Sequence, residues 1–201
     1  MNPISRPFYL RNTVEVAMDL LGKKLVRKVD GLVLSGIICE TEAYCHREDP
    51  ASHAYAGQTE RNRAMFGQVG MAYVYFTYGM HYCVNAVARD RNSEAGAVLI
   101  RAIIPTEGIT FMKDQRGTEI LENLANGPAK LTQAMKITKK QYEEDLTLKS
   151  DLYITEGVPV NREMVESKPR IGIRKAAENR WNFSMTPSGG SRMLSKALRQ
   201  G

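Results

Sequence analysis

Asp30-Gly31 stands between two apolar runs, Lys24 to Val29 and Leu32 to Tyr44. Both residues tolerate the positive-φ backbone of a two-residue hairpin turn, so the dipeptide commits the runs to pair antiparallel. More strand-like segments follow. Met71 to Tyr78 and Met80 to Ala88 are rich in aromatic and β-branched residues and are broken at Tyr78-Gly79, and Ala97 to Ile104 is a further strand. Helices are expected around them. Asn12 or Thr13 caps one over Val14 to Leu21, whose Val14, Ala17, Leu20 and Leu21 form an apolar stripe that Gly22 stops. Thr59 caps a short helix to Phe66, Pro105-Thr106-Glu107 opens another to about Arg116, and Gly127-Pro128 opens one through Met135. Leu152 to Thr155 and Arg170 to Arg174 read as short closing strands. This order predicts an α+β fold, one domain around a largely antiparallel sheet with flanking helices.

A chain of 201 residues, 43% hydrophobic and 25% charged, suits one globular domain. No run approaches the roughly eighteen apolar residues that span a bilayer. Met1 to Asn12 lacks the apolar core of a signal peptide, so the expected location is the cytoplasm, or wherever the cell keeps its DNA. Cys39, Cys45 and Cys83 are an odd number without Cys-x-x-Cys spacing, which argues against a disulfide framework or a zinc ribbon. A net charge of +6 permits a polyanionic partner without requiring one. Residues 184–201 have little to bury and are expected to form a mobile tail after a domain spanning 1–183.

Strict alternation along Ile37 to Tyr44 would put Ile37, Cys39, Thr41 and Ala43 on one face and Ile38, Glu40, Glu42 and Tyr44 on the other. A carboxylate beside a ring results: a candidate general base next to a platform for a flat substrate. Parity alone does not separate Glu40 from Glu42, and the octapeptide by itself also reads as a solvated strand end. Arg101 lies inside a run of Val, Leu and Ile and needs an anionic partner, for which Glu42 is a candidate. The polar segment Cys45 to Gln58 is a loop holding His46 and His53, with Arg61 and Arg63 close behind it. Alternation puts Tyr73, Tyr75 and Thr77 on one strand face, and Lys130 follows a helix start that can receive a phosphate.

Taken in order, Glu40-Thr41-Glu42-Ala43-Tyr44, His53, Arg61-Asn62-Arg63, Tyr73-Val74-Tyr75-Phe76-Thr77-Tyr78-Gly79-Met80, Cys83-Val84-Asn85, Leu99-Ile100-Arg101-Ala102, Gly127-Pro128-Ala129-Lys130-Leu131 and Arg170-Ile171-Gly172-Ile173 resemble the alkyladenine, or methylpurine, DNA glycosylase family. The resemblance runs from about Pro7 to Phe183 and is to a compact, bacterial-type member. It implies a curved sheet like that of the C-terminal domain of methionyl-tRNA formyltransferase. It also implies a monomeric base-excision-repair enzyme that flips damaged purines (3-methyladenine, 7-methylguanine, hypoxanthine, ethenoadenine) from double-stranded DNA and hydrolyses the N-glycosidic bond, without lyase activity. No metal and no organic cofactor is implied. Residue by residue, Glu42 would activate water with help from Arg101. Tyr44 and Tyr75 would stack on the base, His53 would bond its edge, Asn85 would reject the amine of guanine, and Tyr78 would intercalate. Arg61, Arg63 and Lys130 are candidates for the DNA backbone. A cationic methylated purine suits electron-rich rings, a contact worth roughly 0.5–2 kcal/mol.

Other chemistries fit less well. A zinc nucleobase deaminase needs a Pro-Cys-x-x-Cys pair that is absent, so His46-Arg47-Glu48 is no zinc signature. A lyase needs an amine nucleophile, and the constellation around Glu42 contains no lysine. A non-catalytic nucleic-acid-binding module on the same scaffold remains the rival reading.

Overall fold

The computed structural model describes residues 2–77 and 79–186; Tyr78 therefore lies outside the described residues. The chain begins with two short helices, α1 (Arg6–Tyr9) and α2 (Thr13–Asp19). The Asn12 side chain accepts the amides of Val14 and Glu15 and so caps α2. The hairpin of β1 (Lys24–Val29) and β2 (Leu32–Tyr44) follows. Its turn holds φ of 52° at Asp30 and 76° at Gly31, the left-handed pair that a tight hairpin requires.

Beyond a long loop come α3 (Arg63–Phe66), β3 (Ala72–Thr77), β4 (His81–Val87), β5 (Ala97–Glu107), α4 (Ile109–Arg116) and α5 (Pro128–Ala134). The short strands β6 (Leu152–Thr155), β7 (Val165–Lys168) and β8 (Asn182–Met185) complete the described chain. Eight strands among the described residues form one curled sheet in the order β3-β4-β5-β2-β1-β6, with β8 joined to β2 and β7 to β8. Every ladder among the described residues is antiparallel. The architecture is α+β, as expected.

Local expectations fail where tertiary pairing overrides them. Pro105 to Glu107 continue β5 rather than opening a helix. Gly36 pairs with Pro105 and Ser35 with Glu107, and β4 reaches only Ala97 to Leu99, so no neighbour there needs the amide that proline lacks. The helix begins after Gly108, whose φ is 73°. Gly36 has its own reason: a Cβ there would lie 2.7 Å from Ile103 Cδ1 and 2.9 Å from the Ile104 carbonyl oxygen. The helix expected from Thr59 is reduced to α3, and Asn62 instead donates to the carbonyls of His53 and Gly57, tying the loop to itself. Arg170 to Arg174 form a turn, not a strand; β7 and β8 close the sheet. Sheet structure thus runs through Met185, and residues 187–201 lie outside the described residues.

The main core lies between the sheet and its helices, with Leu20, Leu34, Ile38, Ile100, Ile103, Met112 and Leu131 among its members. A smaller cluster of Ala54, Met65, Tyr73, Val87 and Ala97 fills the space under the loop. Among the described residues no helix is long and apolar enough to cross a membrane.

Candidate active site

Strict alternation along β2 does not hold. Register irregularities between Ile38 and Glu40 and between Glu40 and Thr41 interrupt the β2–β5 ladder. Leu34 and Ile38, at even positions, belong to the main core, and so does Ala43, at an odd one. Thr41 on that side donates to the Ala17 carbonyl of α2 at 2.7 Å. On β5, Ile103 and Ile100 likewise share the core although three residues apart. The bulge therefore changes phase in both strands at once. Ile38 parts company with Glu40, Glu42 and Tyr44, which, with Leu99 and Arg101, turn toward the opposite face.

That face carries a row of directly paired residues. Tyr73 lies opposite Asn85, Asn85 opposite Leu99, Leu99 opposite Glu42, and Glu42 opposite Asn182. Opposed residues share a face, so the row spans five strands. Above it opens a cavity of about 530 Å³, within the range of small-molecule clefts. Tyr44, His53, Tyr73, Tyr75, Asn85 and Arg101 line it, joined by Pro128 and by residues 171–175 of the turn after Arg170. Lys175 is among them, so the cleft does hold a lysine, contrary to the expectation from the sequence, because the turn folds back over it.

Glu42 is completely buried and sits behind this lining. Its Oε2 accepts from the Tyr44 hydroxyl at 2.8 Å and lies 3.2 Å from Arg101 Nη1. Its Oε1 accepts from the Ile171 amide at 2.7 Å and from Asn182 Nδ2 at 3.1 Å. Three hydrogen-bond donors and the Arg101 guanidinium, as an ion-pair partner, surround the carboxylate. Glu40 is the outer partner of the same groups, accepting Arg101 Nε at 3.0 Å and Asn182 Nδ2 at 2.8 Å. Burial would pull the Arg101 pKa down, but Glu42 and Glu40 outweigh it and the net direction is up. The Tyr44 phenol is raised by burial and then by Glu42, so it remains a donor.

The remaining candidates fall into two groups. His53 Nδ1 lies 2.9 Å from the Tyr73 hydroxyl, and its ring meets Tyr75 edge-on at 4.7 Å between centroids. Burial and then the Arg61 charge hold the His53 pKa below 6.5, while burial raises that of Tyr73. A neutral His53 accepting from Tyr73 carries its proton on Nε2. Asn85 donates to the Tyr73 carbonyl at 2.9 Å from a buried position on the cavity wall. Arg61 packs over the Tyr75 ring, 5.5 Å from its centroid. Arg63 and Lys130 stand apart from the cavity lining. Arg63 pairs with Glu143 at 3.0 Å, and Lys130 donates to Asn126 at 2.7 Å.

Two groups at the site were given no role by the sequence, although Arg170 opens one of the motifs that carry the resemblance. The Arg170 side chain is fully buried and makes a two-pronged contact with Asp49, at 2.6 and 2.7 Å. Its guanidinium lies over the rings of Tyr44 and Trp181, 4.7 and 5.1 Å from their centroids. Asn182, opposite Glu42 on β8, was likewise given no role. Only the closing of β8 on β2 reveals it. All three cysteines are free thiols, and among the described residues no cluster of His, Cys, Asp or Glu could hold a metal ion.

Fold and site together define a single-domain α+β protein with an aromatic-walled cleft above a sealed carboxylate, a layout fit to hold a flat ring. Residues 7–188 match the family model described as methylpurine-DNA glycosylase (MPG). Among curated relatives, a protein of Carboxydothermus hydrogenoformans is 49% identical over 180 residues, covering 90% of this chain and 93% of its own. One from Rhodopseudomonas palustris is 43% identical over 197 residues, covering 98% and 92%. Both carry the name "Putative 3-methyladenine DNA glycosylase". The chain belongs to the methylpurine-DNA glycosylase family, and with it to the DNA glycosylases of DNA repair.

Proposed function

We propose that this protein is a monofunctional glycosylase that takes an alkylated or deaminated purine out of duplex DNA and hydrolyses its N-glycosidic bond. The observation that carries the reading is Glu42, fully buried at the base of an aromatic cleft and paired with Arg101 at 3.2 Å. A flipped purine would stack between Tyr44 and Tyr75, with His53 Nε2–H donating to its edge and Asn85 set against the exocyclic amine of guanine. Tyr78 would fill the gap left in the duplex, and Arg61, Arg63 and Lys130 would meet phosphates.

Methylation at N3 or N7 gives the purine a positive charge, so it leaves as a neutral base with the bonding electron pair; a neutral purine such as hypoxanthine leaves as its anion, which takes up a proton from water. Water then adds its oxygen to the sugar carbon, and Glu42 takes the proton. Glu40, Glu42 and Arg101 together carry one net negative charge, which favours the developing oxocarbenium ion. Since Glu42 is fully buried behind these partners, water reaches it by displacing a neutral donor, the Tyr44 hydroxyl or the Ile171 amide, while Arg101 stays in place.

The rival is a non-catalytic nucleic-acid-binding module, which the sealing of Glu42 by three donors and the Arg101 ion pair favours. Release of free hypoxanthine and 3-methyladenine from duplex DNA separates the two. The catalytic reading expects an abasic site and a free base, with an intact strand until alkali is added. Release of neither base supports the binding module, and strand cleavage without alkali would point to a lyase.

A further inference from the structure

Arg170 is buried where three parts of the site meet. Its two-pronged bond to Asp49 holds the loop that carries His53, and Asp49 also accepts the amides of Cys45 and Ala51 in that loop. Arg170 Nη1 donates to the Ala43 carbonyl at 2.9 Å, between Glu42 and Tyr44 on β2. The guanidinium backs the Tyr44 ring from the protein side, and the next residue along the chain puts its amide on Glu42. Asp49 and Arg170 are 121 residues apart, so the pair joins loop, strand and turn at one point.

We propose that Arg170 and Asp49 are positioning residues that set the Tyr44 ring and the Glu42 carboxylate for reaction, a role that rests on the hydrolytic reading above. Burying an ion pair is a poor way to add stability, because desolvation offsets most of the attraction. A planar fork is instead a good way to fix geometry, since it constrains orientation in two directions and stacks on aromatic faces. Lysine would keep the charge and lose both properties.

Trp181, the one tryptophan of the chain, lies against Arg170 and reports on the arrangement. In the wild type, its emission is expected to change on binding a duplex with a central ethenoadenine and to stay constant with undamaged duplex. Arg170→Lys is expected to melt cooperatively and bind undamaged duplex as the wild type does, yet to lose about 10²-fold in single-turnover release, the scale of a small misplacement. Arg170→Met combined with Asp49→Asn removes both charges and should recover stability without recovering rate. Wild-type rates in folded Arg170→Lys, recovery of rate in the double variant, or wild-type Trp181 emission that ignores the lesion would each overturn the proposal. Release by the wild type tests the hydrolytic reading. The ratio of variant to wild type tests this one.

Discussion

Replacing Glu42 by Gln changes one oxygen to an amide nitrogen and removes one charge, and the surroundings decide where the nitrogen goes. At the Oε1 position it would face the Ile171 amide and Asn182 Nδ2, both donors. At the Oε2 position it meets the Tyr44 hydroxyl, which can rotate to accept, and Arg101 Nη1, which cannot. The nitrogen therefore takes the Oε2 position, and Arg101 loses one of its two carboxylates. Breaking a buried pair outright costs about 3–5 kcal/mol. Arg101 keeps Glu40 at 3.0 Å, so the loss is nearer one charge-assisted hydrogen bond, about 1.5–3 kcal/mol. For a chain of this size that lowers the melting temperature by roughly 3–12 °C, leaving a folded protein to assay. Under single turnover with a duplex carrying one hypoxanthine, alkaline cleavage at the abasic site measures release. The expected loss is about 10²–10⁴-fold, the worth of a positioned general base. A folded Glu42→Gln variant that releases hypoxanthine within about threefold of the wild-type rate would refute the assignment, because a general base contributes far more than that.

His53 predicts a pH signature. Its folded pKa is held below 6.5, first by burial and then by Arg61, so the folded state binds fewer protons than the unfolded. Its contribution to stability is complete above pH 6.5 and declines as pH falls below it; melting of wild type and His53→Gln on both sides of 6.5 should show the steeper fall in the wild type, and parallel curves would count against it. Affinity for duplex should decrease linearly in log–log form as salt rises, with a slope of about −0.9 for each phosphate contact. A flat response would exclude duplex DNA as the partner. Tyr78→Ala should weaken capture of the flipped state while leaving undamaged binding near normal, and unchanged turnover on a lesion duplex would remove Tyr78 from the intercalating role.

What could be read from the chain was whatever local chemistry dictates. Asp30-Gly31 specified its turn because positive φ is a property of two residues, and the Asn12 cap needed only its next neighbours. The apolar setting of Arg101 demanded an anion, and the motif around Glu42 supplied a candidate. The exchange of helix for strand at Pro105 was not legible, because proline's acceptability in a strand depends on which neighbour is absent beside it.

The residues themselves thus determined the antiparallel hairpin, the α+β class and the inventory of candidate site groups. Only the tertiary structure decided how those groups face one another. Strict alternation would have left Glu42 on the side of Ile38, in the core; a bulge shared by two strands turned it to the cleft. Ile171 and Asn182, 129 and 140 residues away, supplied donors to its second oxygen. Arg170 and Asp49 became a clamp only when loop and turn met. The physical reason is range: turns and caps act over a few residues, whereas a buried carboxylate or guanidinium is tolerated only where distant segments converge to complete its hydrogen bonds.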